Sequence, residues 1–333
     1  MSPDEALERA REAGIHRLRI PTPFAVGRVN CYLIEDDPLT LADTGPNSGK
    51  ALDELERALA AHGRRVEDLE LIVLSHQHMD HLGLAGILAR RSGAEVAALD
   101  ALVPWAADYG KNMAADDDFA NGLMGRHGIP EDVRHALRAV AATFRGWGAA
   151  VAVTRTLTDG GELALRDRRF RVHHRPGHSP TDTVFVDEER RVALGGDHLI
   201  KHISSNPLIA RPLDGAGDER PQALVTYLDS MARTREMDLD VVLPGHGEPI
   251  DDHRALIDER FRLHARRAEK LRRLIAERPQ TAYELAKAMW GNVAVTQAYL
   301  TLSEVLGHTD LLINDGRVRE VVDAEGVARF EAV

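Results

Sequence analysis

Apolar positions along the first hundred residues follow two patterns that alternate along the chain. Short apolar runs and period-two alternation predict five strands, which are Leu18–Ile20, Cys31–Ile34, Leu39–Ala42, Leu71–Leu74 and Glu95–Leu99. The helical spacing of Leu52, Leu55 and Leu59 predicts a helix that Ser48 caps, and a second helix is expected over residues 82–91. The fourth strand is apolar throughout, which indicates that both faces of its sheet are covered.

The pattern changes between residues 104 and 150, where Trp, Tyr, Met and Phe recur at helical spacing and glycines interrupt them. We expect a helical insertion there. Strand patterns then return at Val151–Leu157, Glu162–Leu165, Arg169–His174, Thr183–Val186, Arg191–Leu194 and Asp240–Leu243. A helix over 221–235 precedes the last of them. The order of sheet, helices, sheet and helices predicts a four-layer αβ/βα sandwich, an α+β/α/β fold.

The chain beyond residue 252 has a third pattern. It predicts a long amphipathic helix over 254–278, a helix capped by Thr281 and a third helix from Thr296 to Leu306. Strands are expected at Leu311–Ile313 with Val318–Val322 and at Ala328–Glu331. Three helices and a β-wing are the layout of a winged helix. We therefore divide the chain into a domain of residues 1–252, with its insertion at about 104–150, and a winged-helix domain of residues 253–333.

Composition narrows the class of protein. A chain of 333 residues is long enough for two domains, and 42 basic against 53 acidic side chains give a net charge of −11, which disfavours a general nucleic-acid surface. The single cysteine, Cys31, excludes an internal disulfide or a multi-thiolate metal site. No apolar run is long enough to cross a membrane, and the acidic start lacks the features of a secretory signal. We expect a cytoplasmic protein.

The strongest chemical signal follows the fourth strand, where Ser75-His76-Gln77-His78-Met79-Asp80-His81 leads into a helix. Sites in open α/β sheets lie at such carboxyl ends of strands. Alternate residues of an extended turn face one way, so His76 and His78 can converge on one metal. Asp80 and His81 can then address a second metal.

Three later turns share one design, in which a strand ends at a glycine-containing turn that presents one ligand-type side chain. They contain Gly177-His178, Gly196-Asp197 and Gly245-His246. Glycine allows the tight turn that brings each side chain inward.

These residues resemble the ligand motifs of the metallo-β-lactamase-fold hydrolase superfamily over roughly residues 15–250. The HxHxDH motif matches residues 76–81, and the later ligands match in order. The resemblance implies a dinuclear centre in which His76, His78 and His178 hold one metal, Asp80, His81 and His246 hold the other, and Asp197 bridges them. It also implies that Asp43 orients a ligand imidazole, a role typical of carboxylates behind metal ligands.

The donor set predicts the metal and the reaction class. Five imidazoles and two carboxylates suit two divalent ions, most simply Zn²⁺, with Fe or Mn as alternatives because no thiolate is present. Two cations that share a water would generate a hydroxide nucleophile near neutral pH. Asp80 is expected to be catalytic as well as a ligand, because it can orient the nucleophile or receive its proton. Hydrolysis is the expected reaction.

The C-terminal module narrows the resemblance to a subgroup that includes lactamase-like endoribonucleases, thioesterases of polyketide pathways and bacterial hydrolases. We expect a small-molecule ester or thioester as substrate, acyl-CoA-like, with a single-strand-specific endoribonuclease or a lactonase as alternatives. The insertion would supply an apolar acyl surface that includes Trp105 and Tyr109. His198 is expected behind the ligands and His202 at the mouth of the site.

The winged helix also raises the hypothesis of a DNA-binding regulator. Residues 251–333 contain thirteen basic and fourteen acidic side chains, and the predicted helix 296–306 has no Arg or Lys, so a nucleic-acid partner is disfavoured. The helix from Arg254 is rich in Arg and keeps RNA open as a substrate. Packing, a pocket wall or formation of a homodimer are the remaining roles for the module.

Overall fold

The computed structural model describes residues 2–213 and 220–333. The α-helices are α1 Pro3–Glu12, α2 Gly49–Ala61, α3 Met79–Leu82, α4 Ala85–Ser92, α5 Val103–Ala107, α6 Tyr109–Arg126, α7 Glu131–Phe144, α8 Ala223–Arg235, α9 His253–Glu277, α10 Ala282–Trp290, α11 Val293–Thr296 and α12 Ala298–Asn314. The strands are β1 Ile15–Ile20, β2 Val29–Ile34, β3 Thr40–Ala42, β4 Leu71–Val73, β5 Glu95–Leu99, β6 Arg155–Leu157, β7 Glu162–Ala164, β8 Arg169–His174, β9 Thr183–Asp187, β10 Val192–Gly196, β11 Val241–Pro244, β12 Val318–Val322 and β13 Ala328–Ala332. Short 3₁₀ helices occupy Val66–Asp68, Asp100–Leu102 and Arg145–Trp147.

Two sheets form the centre of the first domain. One has the order β1-β2-β3-β4-β5-β6, and the other has the order β11-β10-β9-β8-β7. Strands β3 to β6 are parallel neighbours, with Ala42 opposite Val73 and Val73 opposite Ala97. The second sheet is antiparallel except where β11 joins β10 in parallel. The carboxyl ends of β4, β10 and β11 are followed directly by the loops that carry the predicted ligands.

Alternation along β4 explains the layers. Leu71 and Val73 belong to a core between the sheets that also contains Phe185 and Leu194 of the second sheet. Ile72 points to the opposite face and packs in a second core with Leu55 of α2. The outer face of the second sheet packs against α8 in the same way. The fold is therefore the predicted four-layer sandwich, in which both faces of each sheet are covered.

The insertion between β5 and β6 is helical, as expected, and comprises α5, α6 and α7. Leu123 and Met124 at the end of α6 share a core with Leu271 of α9 and Leu302 of α12. The insertion therefore packs on the C-terminal helices instead of extending into solvent.

Helices α9 to α12 and the β12–β13 hairpin form the C-terminal part. The prediction of a strand at Leu311–Ile313 was wrong, because these residues form the last turn of α12. Leu312 is fully buried and continues the helical spacing of Leu302 and Val305 into the same core. A run of three apolar residues cannot distinguish a strand from the buried end of a helix. The helix predicted over 82–91 is likewise interrupted, as α3 and α4.

Within residues 2–213 and 220–333, no helix combines the length and the hydropathy that a membrane span requires.

Candidate metal centre

All the predicted ligands lie at one end of the sandwich. His76 and His78 follow β4, and Asp80 and His81 lie in the single turn of α3 that comes next. His178 lies in the turn between β8 and β9, Asp197 follows β10, and His246 follows β11. The first sheet thus supplies four of the side chains and the second sheet supplies three.

The first group of donors is formed by His76, His78 and His178. Nδ1 of His78 lies 3.1 Å from Nε2 of His76 and 3.0 Å from Nε2 of His178. Ligand atoms of the three residues all lie within 4.8 Å of one another. A single proton on His78 satisfies only one of its two neighbours, whereas one cation satisfies all three nitrogens.

The second group is formed by Asp80, His81 and His246, which also offer ligand atoms within 4.8 Å of one another. Nε2 of His246 lies 3.2 Å from Oδ2 of Asp80. Asp197 stands between the groups, because its carboxylate oxygens lie 3.5 Å from Nε2 of His81, 3.5 Å from Nε2 of His246 and 3.6 Å from Nε2 of His178. This is the place of a bridging carboxylate.

Acceptors outside the centre fix which ring nitrogen of each histidine carries the proton. Nδ1 of His178 donates to the carbonyl oxygen of Asn206 at 3.0 Å, and Nδ1 of His246 donates to that of Arg28 at 2.9 Å. Nδ1 of His76 lies 2.9 Å from Oγ of Ser75. Since Nδ1 is the donor, the Nε2 lone pair of each ring faces the centre.

Asp43 fixes the fourth ring. Its Oδ2 accepts from Nδ1 of His81 at 2.8 Å and from Oγ of Ser75 at 2.7 Å, while Oδ1 accepts from the Ser75 amide at 2.9 Å. Asp43 has a φ of 56°, a left-handed conformation that directs its carboxylate behind the centre. Through Ser75 the same carboxylate reaches His76, so it orients one imidazole of each group.

The donors fit divalent cations. Among the described residues, Nε2 of His81, Nε2 of His246 and Oδ1 of Asp197 are buried without a hydrogen-bond partner. Buried lone pairs that face one another are unfavourable unless a cation lies between them. Imidazole and carboxylate donors without thiolate suit a divalent metal of the first transition row. The side chains of residues 76, 78, 80, 81, 178, 197 and 246 would hold it.

The pKa values of His76, His78 and Asp197 agree with metal binding. Burial lowers the pKa of His78 to about 3, and the charge of His178 acts in the same direction. Burial also holds the pKa of His76 well below its usual range. At Asp197 burial raises the pKa, but the charges of His246 and His81 outweigh it and hold the pKa well below the usual range. Neutral imidazoles and an ionised carboxylate are the forms that bind metals. At His81 and His246 burial lowers the pKa, but the charge of Asp197 outweighs it and raises the pKa, so a metal would displace a proton from each of these rings.

A cavity of about 200 Å³ adjoins the centre on the side of His78 and His178. Trp105, predicted to contact substrate, lines it together with Met113 and Phe119 of α6. The other predicted aromatic, Tyr109, is buried behind the wall, with its ring 5.5 Å from that of Trp105 and its hydroxyl donating to the Arg145 carbonyl.

The two remaining predicted histidines lie on either side of the ligands. His198 is buried, and its Nε2 lies 2.8 Å from Oγ1 of Thr234 on α8, so it anchors the loop after Asp197 to the outer helix. His202 is exposed, and its ring lies against Gly247, the neighbour of His246. It occupies the rim of the centre on the side of the second group.

Several residues of the site carry no signal in the sequence. Ser75 was visible only as part of the motif, and the carbonyls of Arg28 and Asn206 act through backbone atoms that every residue possesses. Tyr299 of α12 and Arg211 also line the cavity, although they lie far from the motifs in the chain. Tyr299 reaches the cavity because α12 packs there, which its neighbouring residues in the sequence do not indicate.

Comparison with known proteins identifies the family. The sequence profile of the Metallo-beta-lactamase superfamily matches residues 25–246, two thirds of the chain. The chain belongs to the metallo-beta-lactamase superfamily. A second profile, "Metallo-beta-lactamase-like, C-terminal domain", matches residues 268–333. This superfamily member is accordingly a metallo-hydrolase with clustered His and Asp side chains.

Relatives of this superfamily member share both its sequence and its fold. "Probable metallo-hydrolase YqjP" of Bacillus subtilis (strain 168) is 35% identical over 295 residues, which cover 89% of this chain and 91% of the relative. Hydroxyacylglutathione hydrolase GloC of Haemophilus influenzae is 27% identical over 235 residues, 68% of this chain and 88% of that protein. A beta-lactamase domain protein of Burkholderia ambifaria superposes with a TM-score of 0.82 at 27% identity, covering 96% of this chain and 92% of that chain.

Proposed function

We propose that this metallo-hydrolase cleaves a small-molecule ester or thioester, acyl-CoA-like, with two divalent ions, most simply Zn²⁺, held by the two groups of donors. The observation that carries the proposal is the cavity, whose wall joins two ligands, His78 and His178, to apolar side chains of the insertion. An acyl chain that occupies the cavity has its carbonyl carbon beside the centre.

The cavity wall suits an acyl chain. Trp105, Met113 and Phe119 contribute apolar surface from one side, and Ile209 and Tyr299 contribute it from the other. The wall also contains charges, but each carboxylate has a partner, since Asp116 pairs with Arg211 and Asp117 pairs with Arg145. Asp116 accepts from Nε1 of Trp105 at 3.1 Å and from Nε of Arg211 at 3.0 Å. Because these charged groups already have partners, the remaining surface favours hydrocarbon.

A related enzyme supports thioester chemistry. GloC is named for the hydrolysis of hydroxyacylglutathione, and its match covers 68% of this chain. Acyl-CoA and acylglutathione present the same thioester carbonyl, so the reacting group is shared while the acyl and thiol parts differ. We expect the enzyme to act in the cytoplasm, where acyl thioesters of coenzyme A occur.

The chain's own residues divide the chemistry among them. When bound, divalent ions lower the pKa of a shared water and polarise the substrate carbonyl. The backbone carbonyl oxygens that accept from Nδ1 of His178 and of His246 hold each ring in one tautomer. The rings therefore need no rearrangement during turnover. At Asp80 burial raises the pKa, but the charges of His81 and His246 outweigh it and lower the pKa. Its ionised carboxylate is therefore able to receive the proton that the attacking water loses.

Two alternatives remain within the same chemistry. A lactone presents the same carbonyl to the centre, so lactonase activity is the nearer alternative. Cleavage of single-stranded RNA is less consistent with an apolar cavity and a net charge of −11. The charge balance of residues 251–333 and the lack of Arg and Lys in residues 296–306 disfavour a DNA-binding regulator, and formation of a homodimer stays a prediction.

A substrate screen tests the proposal. Protein reconstituted with Zn²⁺, Fe²⁺ or Mn²⁺ is incubated with acyl-CoAs, aryl esters, homoserine lactones, a chromogenic cephalosporin and labelled single-stranded RNA. We expect hydrolysis of acyl-CoAs and aryl esters, and its loss in Asp197→Asn, which removes the bridging carboxylate. Asp53→Asn, an exposed carboxylate on α2, is the matched control. Activity confined to the cephalosporin, the lactones or the RNA would overturn the substrate assignment.

A further inference from the structure

The segment of residues 200–209, which follows the bridging Asp197, contains neither helix nor strand. It nevertheless contacts two of the metal-centre residues. The carbonyl oxygen of Asn206 accepts the Nδ1 proton of His178 at 3.0 Å, and Oγ of Ser205 donates to the carbonyl oxygen of Asp197 at 2.6 Å. The position of this segment therefore affects the orientation of a ligand in the first group and the backbone that carries the carboxylate of Asp197.

An irregular segment needs partners for its backbone from elsewhere in the fold. Arg260 of α9 supplies them, and it is only 6% exposed. Its Nη2 lies 2.9 Å from the carbonyl oxygen of Lys201, 3.1 Å from that of Ile203 and 3.2 Å from that of Ile200. One guanidinium nitrogen thus gathers three carbonyls of the segment around a single charged donor group.

One turn along α9, His264 extends the same contact surface. Its Nε2 lies 3.4 Å from Oγ of Ser204, and its Nδ1 lies 3.1 Å from Nε2 of His308 on α12. Nδ1 of His308 donates to the carbonyl oxygen of Glu304 at 2.6 Å. His264, Glu304 and His308 lie close enough to resemble a metal-binding cluster. Each ring nitrogen of the two histidines nevertheless has a protein partner. The cluster is a hydrogen-bonded connection between helices, in contrast to the unpartnered nitrogens of the metal centre.

Helix α12 holds the other end of the segment. Nδ2 of Asn206 donates to the carbonyl oxygen of Leu300 at 3.1 Å, and the amide of Ile209 donates to Oγ of Ser303 at 3.3 Å. The hydroxyl of Tyr299 donates to the Ile209 carbonyl. Helices α9 and α12 therefore form hydrogen bonds with the segment on both sides of Ser205 and Asn206.

We propose that Arg260 is a positioning residue for the metal centre, which holds backbone 200–203 so that Asn206 and Ser205 keep His178 and Asp197 in ligand geometry. Only three peptide units separate Ile203 from Asn206, so a displacement at the Arg260 contacts passes directly to the His178 acceptor. The proposal depends on the metal centre and not on the identity of the substrate. It gives the C-terminal part a role in assembling the active site.

Metal titration of the full-length protein tests it. Zn²⁺ affinity is measured by competition with a chromophoric chelator, and Co²⁺ spectra report the geometry of the sites. Loss of a contact behind a ligand costs about 10- to 100-fold in metal affinity, and we expect this range for Arg260→Gln, whose neutral amide cannot gather three carbonyls. Arg260→Lys, which keeps the charge, is expected to recover part of the loss.

Two controls separate positioning from general destabilisation. Arg266→Gln changes an exposed arginine of the same helix and should retain wild-type affinity. Leu312→Ala removes a fully buried side chain of the C-terminal core, so it should lower the unfolding temperature and leave metal affinity unchanged. Arg260→Gln affinity within twofold of wild type would overturn the proposal, and so would an equal loss in Leu312→Ala.

If Arg260→Gln does not fold, Asn206→Ala decides the question. This change removes the side-chain link to Leu300 and keeps the carbonyl that His178 needs. We expect a several-fold loss of affinity together with an altered Co²⁺ spectrum. Wild-type values of both would contradict the proposal.

Discussion

The carboxylate of Asp43 is the residue on which both groups of donors depend. Its two oxygens accept three hydrogen bonds, one from the ring of His81 and two from Ser75, whose hydroxyl also contacts His76. An acceptor at Nδ1 leaves the Nε2 lone pair for a metal and raises the basicity of the ring. The orientation of two imidazoles is therefore fixed from outside the centre.

Asp43→Asn is expected to weaken metal binding by about 10- to 100-fold. The amide keeps the shape of the carboxylate, but one of its two positions becomes a donor and cannot accept from both His81 and Ser75. Competition titration with Zn²⁺ measures the change, with Asp53→Asn as control. An unchanged affinity would mean that the Asp43 contacts do not orient the rings.

At the scale of single elements, glycine turns bring the ligands together. A Cβ atom on Gly245 would lie 2.3 Å from Oδ1 of Asp197 and 2.6 Å from Cε1 of His81. Both distances are far below van der Waals contact, so the turn after β11 tolerates no side chain beside the bridging carboxylate. This turn is tight because the two sheets meet there.

Gly245→Ala is therefore expected to displace Asp197 and to reduce bound metal to well under half of the wild-type content. Gly49→Ala is the matched control, because no atom lies within 4 Å of its added Cβ at the start of α2. Elemental analysis of the purified proteins gives the metal content. Equal metal in both variants would show that the turn can adjust.

The elements differ in how far their sequence predicts them. The apolar run of β4 and the caps at Ser48 and Thr281 predicted a strand and two helices close to their observed bounds, because these signals are local. Leu312 was wrongly assigned to a strand, because the residues next to it in the sequence do not identify the helix in which it is buried. The convergence of the seven donor side chains was predictable from residue type, turn chemistry and the resemblance to the family's motifs. The carbonyls of Arg28 and Asn206 were not, because a backbone acceptor has no residue-type signature.

Across the whole molecule, buried neutral histidines make stability depend on pH. Burial lowers the pKa of His127 and of His264 to about 3 and that of His308 to about 4. In the unfolded chain the pKa of each is about 6.5. Above that pH both states are neutral. Below it the unfolded chain binds protons that the folded chain does not, so stability falls as the pH drops toward 4.

His127→Phe isolates one of these contributions. The ring of His127 stacks on Phe330 with centroids 6.0 Å apart, and both of its nitrogens lack partners among the described residues. Each such group contributes at most about 1.4 kcal/mol per pH unit to the slope of the unfolding free energy. Urea unfolding of metal-free protein between pH 7 and 5 should show a smaller slope in His127→Phe, and the difference should grow toward that maximum as the pH falls below about 6.5. Identical slopes in the two proteins would show that protonation of His127 does not contribute to the pH dependence of stability.

Removal of metal is expected to destabilise the entire fold, because the donors come from both sheets. Ligand that binds only the folded state at about 1,000 times its Kd adds about 4 kcal/mol to the unfolding free energy. A chelator should therefore lower the unfolding temperature of the wild type by several degrees and leave Asp197→Asn unaffected. A wild-type unfolding temperature that does not respond to the chelator would contradict a metal shared between the sheets.

The division of the donors between residues 76–81 and residues 178–246 also dictates an order of events during synthesis on the ribosome. A nascent chain that has exposed only the first group holds four of the seven donors and no bridging carboxylate. The full set exists only after His246 has emerged and the second sheet has closed over the first. Binding of metal by the complete set of donors is consequently expected only after the second sheet has folded against the first.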